Sequence, residues 1–176
     1  MSYFLRTDRL GFRTWSEADL PLAVALWTDA EVMGHMGGPM SVAAAEARLR
    51  AEMQNQQTLG FQYWPIFGLS TGAHAGCSGL RPFHDQKGVL EVGVHLARAF
   101  WSGGYGEEAA RAVIAWAWQN TDAGALVAGH GPRNEHSRAL VGRLGFMYTH
   151  HEPWGPQQAM HPYYRLERPG RQVLLT

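Results

Sequence analysis

Apolar and polar positions recur along this chain with two periods, and the points where the period changes outline its elements. Leu10-Gly11-Phe12-Arg13-Thr14-Trp15 alternates, which predicts a first strand over 10–15. Ser16 with Asp19 three residues on reads as the N-terminal cap of a helix over 20–27, where Pro21 is early enough to be tolerated. Three glycines and a proline between 33 and 39 exclude regular structure there, and Ser41 restarts the chain as the cap of an Ala-rich helix to about residue 57. Aromatic and branched residues over 61–69 predict a strand that Pro65 weakens, and Ser70-Thr71-Gly72-Ala73 turns into a short strand over 75–80.

The clearest strand is 89–96. Its period of two places Leu90, Val92, Val94 and Leu96 on one face, with Glu91, Gly93 and His95 on the other. After a glycine-rich turn, Ala110, Val113, Ile114 and Ala117 recur at helical spacing within a helix over about 107–120. A strand over 126–130 follows, then a short helix capped by Asn134 and ended by Gly145 at its C′ position. Segments 146–151 and 163–166 pair as a final hairpin, with Pro153-Trp154-Gly155-Pro156 as its loop. The order β-α-α-β-β-β-α-β-α-β-β predicts an α/β fold: a mixed sheet with helices on both faces.

Size and composition narrow the function classes. A chain of 176 residues without repeat or low-complexity linker fits one domain, 1–176. Fifteen basic residues balance fifteen acidic ones, and no block of like charge occurs, so nothing favours a nucleic-acid partner or an anionic lipid surface. Cys77 is the only cysteine, which rules out an intramolecular disulfide and fits a reducing compartment. With no signal-peptide pattern at the start and no apolar run of 18 residues, the expectation is a cytoplasmic protein without membrane attachment.

The chemistry concentrates between the strand over 89–96 and the helix after it. In Trp101-Ser102-Gly103-Gly104-Tyr105-Gly106-Glu107-Glu108 the glycines permit tight turning and line up successive N–H groups at a helix N-terminus. Such a loop suits a phosphate or pyrophosphate; the plainer alternative is a glycine turn that happens to precede a helix. Glu107-Glu108 stands where a P-loop needs Lys followed by Ser or Thr, and the loop lies too late in the chain for a dinucleotide-binding fingerprint.

These residues carry a resemblance. Trp101-x-x-Gly104-x-Gly106 resembles the pyrophosphate loop of the GCN5-related N-acetyltransferase (GNAT) family, in the branch that includes the ribosomal-protein N-acetyltransferases. Thr7-Asp8-Arg9-Leu10 with Ala18-Asp19-Leu20 resembles that branch's opening, and Ala75-Gly76-Cys77-Ser78-Gly79-Leu80 its third strand. Asn134-Glu135-His136-Ser137-Arg138-Ala139-Leu140, ending in Leu144-Gly145-Phe146, resembles its last helix. The resemblance runs from about residue 7 to residue 167. It implies the acyl-CoA N-acyltransferase fold, with a mostly antiparallel central sheet, and direct transfer of acetyl from acetyl-CoA to a primary amine. The acceptor implied is a protein N-terminal α-amine, with a small amine such as a polyamine or an antibiotic, or CoA binding without turnover, as alternatives.

By the same resemblance, His95, Leu96 and Ala97 hold the pantetheine arm through their backbone, with one N–H near His95 facing the thioester oxygen. The N–H groups of Ser102, Gly103, Gly104, Tyr105, Gly106 and Glu107 hold the phosphates beside Trp101. Asn134 lies near the arm as well as capping its helix. Glu91, thirteen residues before Gly104, matches the general base of some members, against the plain alternative of a solvent-facing strand glutamate. Many members carry a tyrosine seven residues after the asparagine to protonate the departing thiolate. Here that position is Val141, which shifts the role to Ser137 or to water.

Nine histidines invite a metal reading, but His150 and His151 point to opposite faces of a strand and no helical H-x-x-x-H pair occurs, so no metal is expected. Nothing near Cys77 in sequence activates its thiol, which predicts a small buried hydrophobe. Acceptor choice falls to the loops over 33–40 and 152–161, with His35, Trp154 and His161 as lining candidates. Sequence assigns no oligomeric state.

Overall fold

A computed structural model describes residues 2–170; residue 1 and residues 171–176, at the ends of the expected domain, lie outside the described residues. One eight-stranded sheet forms the centre: β1 (Leu5–Arg6), β2 (Leu10–Phe12), β3 (Tyr63–Gly68), β4 (His74–Pro82), β5 (Val89–Leu96), β6 (Ala125–Gly129), β8 (Ala159–Glu167) and β7 (Met147–Trp154), in that spatial order. Every neighbouring pair is antiparallel except β5 with β6. The helices are α1 (Leu20–Trp27), α2 (Ala30–Met33), α3 (Val42–Leu59), α4 (Tyr105–Asn120) and α5 (Glu135–Arg143).

Both faces of the sheet are covered, each by a separate core. On one side Ala109, Val113 and Ala117 of α4 pack with Leu10, Phe12, Ile66, Leu80, Val92 and Leu126. On the other, Leu26 and Trp27 of α1, Met33 of α2 and Ala45 and Leu49 of α3 pack on Tyr63 and Cys77. The strand over 89–96 divides its side chains as its alternation predicts. Leu90, Val94 and Leu96 pack toward the α4 core with Val92, while His95 lies against the Tyr63 ring, 5.7 Å between centroids.

The expected first strand stops at Phe12, three residues short of Trp15, and Pro65 supplies the reason. Arg13 N donates to Pro65 O at 3.4 Å, but proline has no N–H to return, so the β2–β3 ladder ends at the Phe12–Ile66 pair. Pro65 is thereby tolerated inside a central strand. Chain entry adds β1, and Asp29 caps the single turn of α2 by accepting from the amides of Glu31 (2.8 Å) and Val32 (3.0 Å); neither element is visible in the alternation. The closing hairpin runs further than expected, through Trp154, because β7 is an edge strand where Pro153 costs no ladder bond.

Candidate active site

Only three residue pairs, Val89–Ala125, Leu90–Leu126 and Glu91–Val127, join β5 to β6. Beyond Glu91 the two strands diverge, although each continues to its end paired on its other side. Ala97 N donates to Ala75 O at one end of β5, and Phe83 N donates to Val89 O at the other. Alternation between those points directs the backbone of His95 and Gly93 to β4, and the backbone of Val92, Val94 and Leu96 into the gap. This corrects the expected register by one residue. His95 and Ala97 have their N–H groups turned to β4, and Ala97 O also accepts from Phe100 N at 2.9 Å. Of the three expected arm contacts, Leu96 alone turns its N–H into the gap, joined by Val94; Leu96 O accepts the indole N–H of Trp101 at 2.8 Å.

At the end of this gap lies the glycine loop. Gly103 (φ +79°) and Gly104 (φ +81°) adopt the left-handed conformation in succession, and α4 starts at Tyr105, two residues before the expected start. The first intrahelical bond is Glu108 N to Gly104 O, so the N–H groups of Tyr105, Gly106 and Glu107 are left for a ligand or water. Two carboxylates in this first turn would oppose a phosphate, and both are neutralised on the flanks. Glu107 bonds Arg111 (2.8 Å) and Arg143 (2.7 Å), and these hydrogen bonds hold its carboxyl below the usual range. Glu108 bonds Thr7 Oγ1 (2.5 Å), Arg9 N (2.9 Å) and the Arg9 guanidinium (2.6 Å to Nε). Burial pushes its carboxyl up, and the bonds from Thr7 and Arg9 more than reverse this.

Sequence reading overlooked Arg9 as a member of the site. Its guanidinium also donates to Gly103 O at 2.7 Å and stacks over the Tyr105 ring at 4.2 Å, so one side chain braces the loop from the N-terminal strands. Only the Thr7-Asp8-Arg9-Leu10 likeness carried any signal of it. Across the gap entrance, Leu96 and Leu140 flank Gly106, where an added Cβ would stand 3.5 and 3.8 Å from them. Asn134 caps α5 as expected, its Oδ1 accepting from Ser137 N at 3.0 Å. Ser137 is half-buried one turn into that helix. Val141 sits in the core beneath, 5% exposed, so a side chain at this position points away from the gap.

Glu91 lies on the α1–α3 face, where register places it opposite Arg81. Arg81 Nε and Nη2 donate to the two oxygens of Glu91 at 2.9 and 2.7 Å, a bidentate pair that fixes the carboxylate in place. The sequence showed both residues but not that they face one another. His161 is buried beside Trp154, ring centroids 4.9 Å apart. Burial, then the charge of His130, lowers its pKa, with Glu91 near enough to oppose the shift. The two loops expected to choose the acceptor do meet. A Cβ on Gly37 would stand 3.0 Å from Pro156 and 3.7 Å from Trp154, while His35 O lies 2.5 Å from where a Gly131 Cβ would be. His35 thereby lies against the chain just past the end of β6.

Cys77 is wholly buried, and its thiol is pushed up to about 12 by that burial, which leaves no thiolate for chemistry. Among the described residues no group of three or more His, Cys, Asp and Glu is placed to hold a metal ion, and no helix is long and apolar enough to cross a membrane.

A mixed sheet whose one parallel pair opens beside a glycine loop and helix N-terminus defines the acyl-CoA N-acyltransferase class of fold. The sequence model of the acetyltransferase (GNAT) domain family matches residues 9–147, and the chain belongs to that family of acetyltransferases. It is 27% identical over 147 residues to the uncharacterized protein YkkB of Bacillus subtilis (strain 168), covering 82% of this chain and 86% of that one. An acetyltransferase from Agrobacterium tumefaciens str. C58 superposes with a TM-score of 0.80 at 25% identity, over 96% of this chain and 98% of the other. The Salmonella typhimurium acetyltransferase that modifies the N-terminal serine of the 50S ribosomal subunit protein L7/L12 has the same fold. Its TM-score is 0.76 at 15% identity, over 92% of this chain and 96% of its own. The family uses acetyl-CoA, which the gap and the loop fit: unpaired strand backbone suits an amide-bearing arm, and free helix-start N–H groups suit a pyrophosphate.

Proposed function

We propose that the protein transfers acetyl from acetyl-CoA to a primary amine in one ternary complex, and that the acceptor is a protein N-terminal α-amine. The observation that carries this reading is the gap that opens beyond Glu91, ending on the loop of Gly103 and Gly104. In it the arm of acetyl-CoA lies along the N–H groups of Val94 and Leu96, with the pyrophosphate on those of the loop and of Tyr105 to Glu107. An N–H of Val94 or Leu96 facing the thioester oxygen stabilises the charge that develops there during attack. The amine nitrogen bonds to the acetyl carbon, the carbon–sulfur bond breaks, the amine loses a proton, and the thiolate gains one.

Glu91 receives the amine proton, directly or through water, on a lone pair that Arg81 leaves free. Ser137, facing the arm from α5, donates to the sulfur. An α-amine of pKa near 8 leaves roughly a tenth of the acceptor neutral at pH 7, far more than a lysine of pKa about 10.4. Modest base assistance is therefore enough for an N-terminus. The likeness of the loop and of the last helix to the ribosomal-protein branch supports the same acceptor. Localisation in the cytoplasm accords with the single, buried cysteine.

The test is an acceptor panel read by thiol release and mass spectrometry: serine-initiated peptides, the same peptides N-terminally blocked but bearing lysine, and spermidine. Acetylation of the free N-terminus in preference to the others supports the reading, and preference for spermidine replaces it with small-amine acetylation. Glu91→Gln should lower turnover roughly a hundredfold at pH 7, and less at pH 9, with acetyl-CoA affinity unchanged. Equal turnover at pH 7 removes Glu91 from proton transfer.

A further inference from the structure

Tyr63 of β3 pairs with Gly79 of β4, and Gly79 pairs with Gly93 of β5. Two glycines in register on adjacent strands leave a trough across the sheet, and the side chain of Tyr63 lies in it. A Cβ at Gly79 would strike the β3 backbone, 1.9 Å from Gln62 O and 2.6 Å from Tyr63 Cα, and one at Gly93 would stand 2.6 Å from Tyr63 Cε1 and 2.8 Å from Cζ, nearer still to the hydroxyl. No residue but glycine leaves room at either place. The ring therefore reaches over β4 and delivers its hydroxyl above β5, two residues past Glu91, where β5 parts from β6.

The body of this residue is tightly held while its hydroxyl is free. Tyr63 N donates to Glu52 Oε2 at 2.8 Å, and Tyr63 O accepts from Trp15 Nε1 at 2.6 Å. The residue is 3% exposed. Its hydroxyl makes no hydrogen bond with the described residues, although Arg81, Glu91, Arg48 and Glu52 all lie within electrostatic reach. Burial above all raises the phenol pKa, so the group stays protonated at any working pH. Its oxygen is not among the fully buried polar atoms that lack a partner, so it keeps access to solvent or to a ligand while the ring is enclosed. It faces the α1–α3 side, the side of Glu91.

We propose that the Tyr63 hydroxyl positions the attacking amine: its oxygen accepts one N–H of the neutral acceptor and turns the nitrogen lone pair toward the thioester carbon. This rests on reading the β5–β6 gap as the acetyl-CoA site. Tyr63 does not take the amine's proton, because a protonated phenol with a raised pKa is no base; that proton leaves by Glu91 or water.

Tyr63→Phe tests this, since it keeps the ring in the trough and both backbone bonds. With a serine-initiated peptide as acceptor, kcat/KM for the peptide should fall ten- to a hundredfold. The acetyl-CoA Kd, the Tm and the pH profile should stay as in the wild type. Gly93→Ala, which displaces the hydroxyl from the opposite side, should give a loss of the same kind at unchanged acetyl-CoA affinity. A Tyr63→Phe enzyme with wild-type kcat/KM for the peptide overturns the proposal alone. A wild-type protein that binds acetyl-CoA but releases no thiol with any amine overturns the acetyltransferase reading and this proposal together.

Discussion

Lowering the pH from 7.5 to 5 should destabilise this protein well before its carboxylates protonate, because it buries neutral histidines. His74 is held down to about 4 by burial first, with a hydrogen bond to the Gly76 backbone opposing. His95 lies still more deeply, and burial, then Arg48 and Arg81, lower its pKa well below 6.5; its Nδ1 has no partner. Both folded-state pKa values are depressed. The unfolded chain therefore takes up protons below about pH 7 that the folded chain refuses, and stability falls as pH falls. At pH 5 each of the two contributes a loss of about 2 kcal/mol relative to pH 7.5. Glu52 works the other way: burial raises its carboxyl above the ordinary range, which favours the fold toward acid and offsets part of the loss. Partial exposure of His74 discounts it further, leaving a net loss of roughly 2–3 kcal/mol. For a chain of this size that is a drop in Tm of roughly 5–12 °C, readable by calorimetry across buffers of matched ionic strength. Asp19, Glu108 and Glu152, held below their ordinary values by hydrogen-bonded partners against the push of burial, lose their contribution only below about pH 4.5. His95→Phe should flatten the slope between pH 5 and 7.5 by about half. A Tm that is level or rises from pH 7.5 to 5 would refute the assignment of these histidines as buried and neutral.

Two substitutions probe the cleft itself. Gly104→Val should abolish the thermal stabilisation that acetyl-CoA confers, since a branched residue at φ +81° is strained by about 1–2 kcal/mol and reshapes the loop; retained stabilisation in a thermal-shift assay would contradict this. Ser137→Ala should lower turnover about tenfold with little change in acetyl-CoA affinity, and full turnover where chemistry limits the rate would assign thiolate protonation to water. Val141→Tyr offers no rescue. Its side chain enters the α4-side core, so it should cost about 1–3 kcal/mol by overpacking, seen as a lowered Tm.

Local chemistry was legible where one stretch of chain carries it. The alternation of 89–96 divided its side chains correctly between the two cores, and the glycines before α4 marked the loop. Asn134 announced its own cap. What stayed hidden depends on which strand lies beside which. That Pro65 would stop β2 at Phe12 follows only once Arg13 is known to face it. The bidentate Arg81–Glu91 pair, the Tyr63–Gly79–Gly93 trough and the reach of Arg9 to Gly103 join segments ten to about a hundred residues apart. Gly79 and Gly93 show in the sequence only as strand glycines; the β3 backbone closes over the first, and the Tyr63 ring fills the space at the second. The register of β5 was missed by one because period two fixes which residues share a face, but not which neighbour their amides address.

The diverging β5 and β6, with the glycine loop at their end, form the proposed site for acetyl-CoA. Calorimetric titration of the purified protein with acetyl-CoA tests it most directly, with NADH titrated in parallel. Acetyl-CoA should bind one-to-one, severalfold or more weakly after Gly104→Val, and NADH little or not at all. NADH binding as tightly as acetyl-CoA, or acetyl-CoA binding indifferent to the change at Gly104, would contradict it.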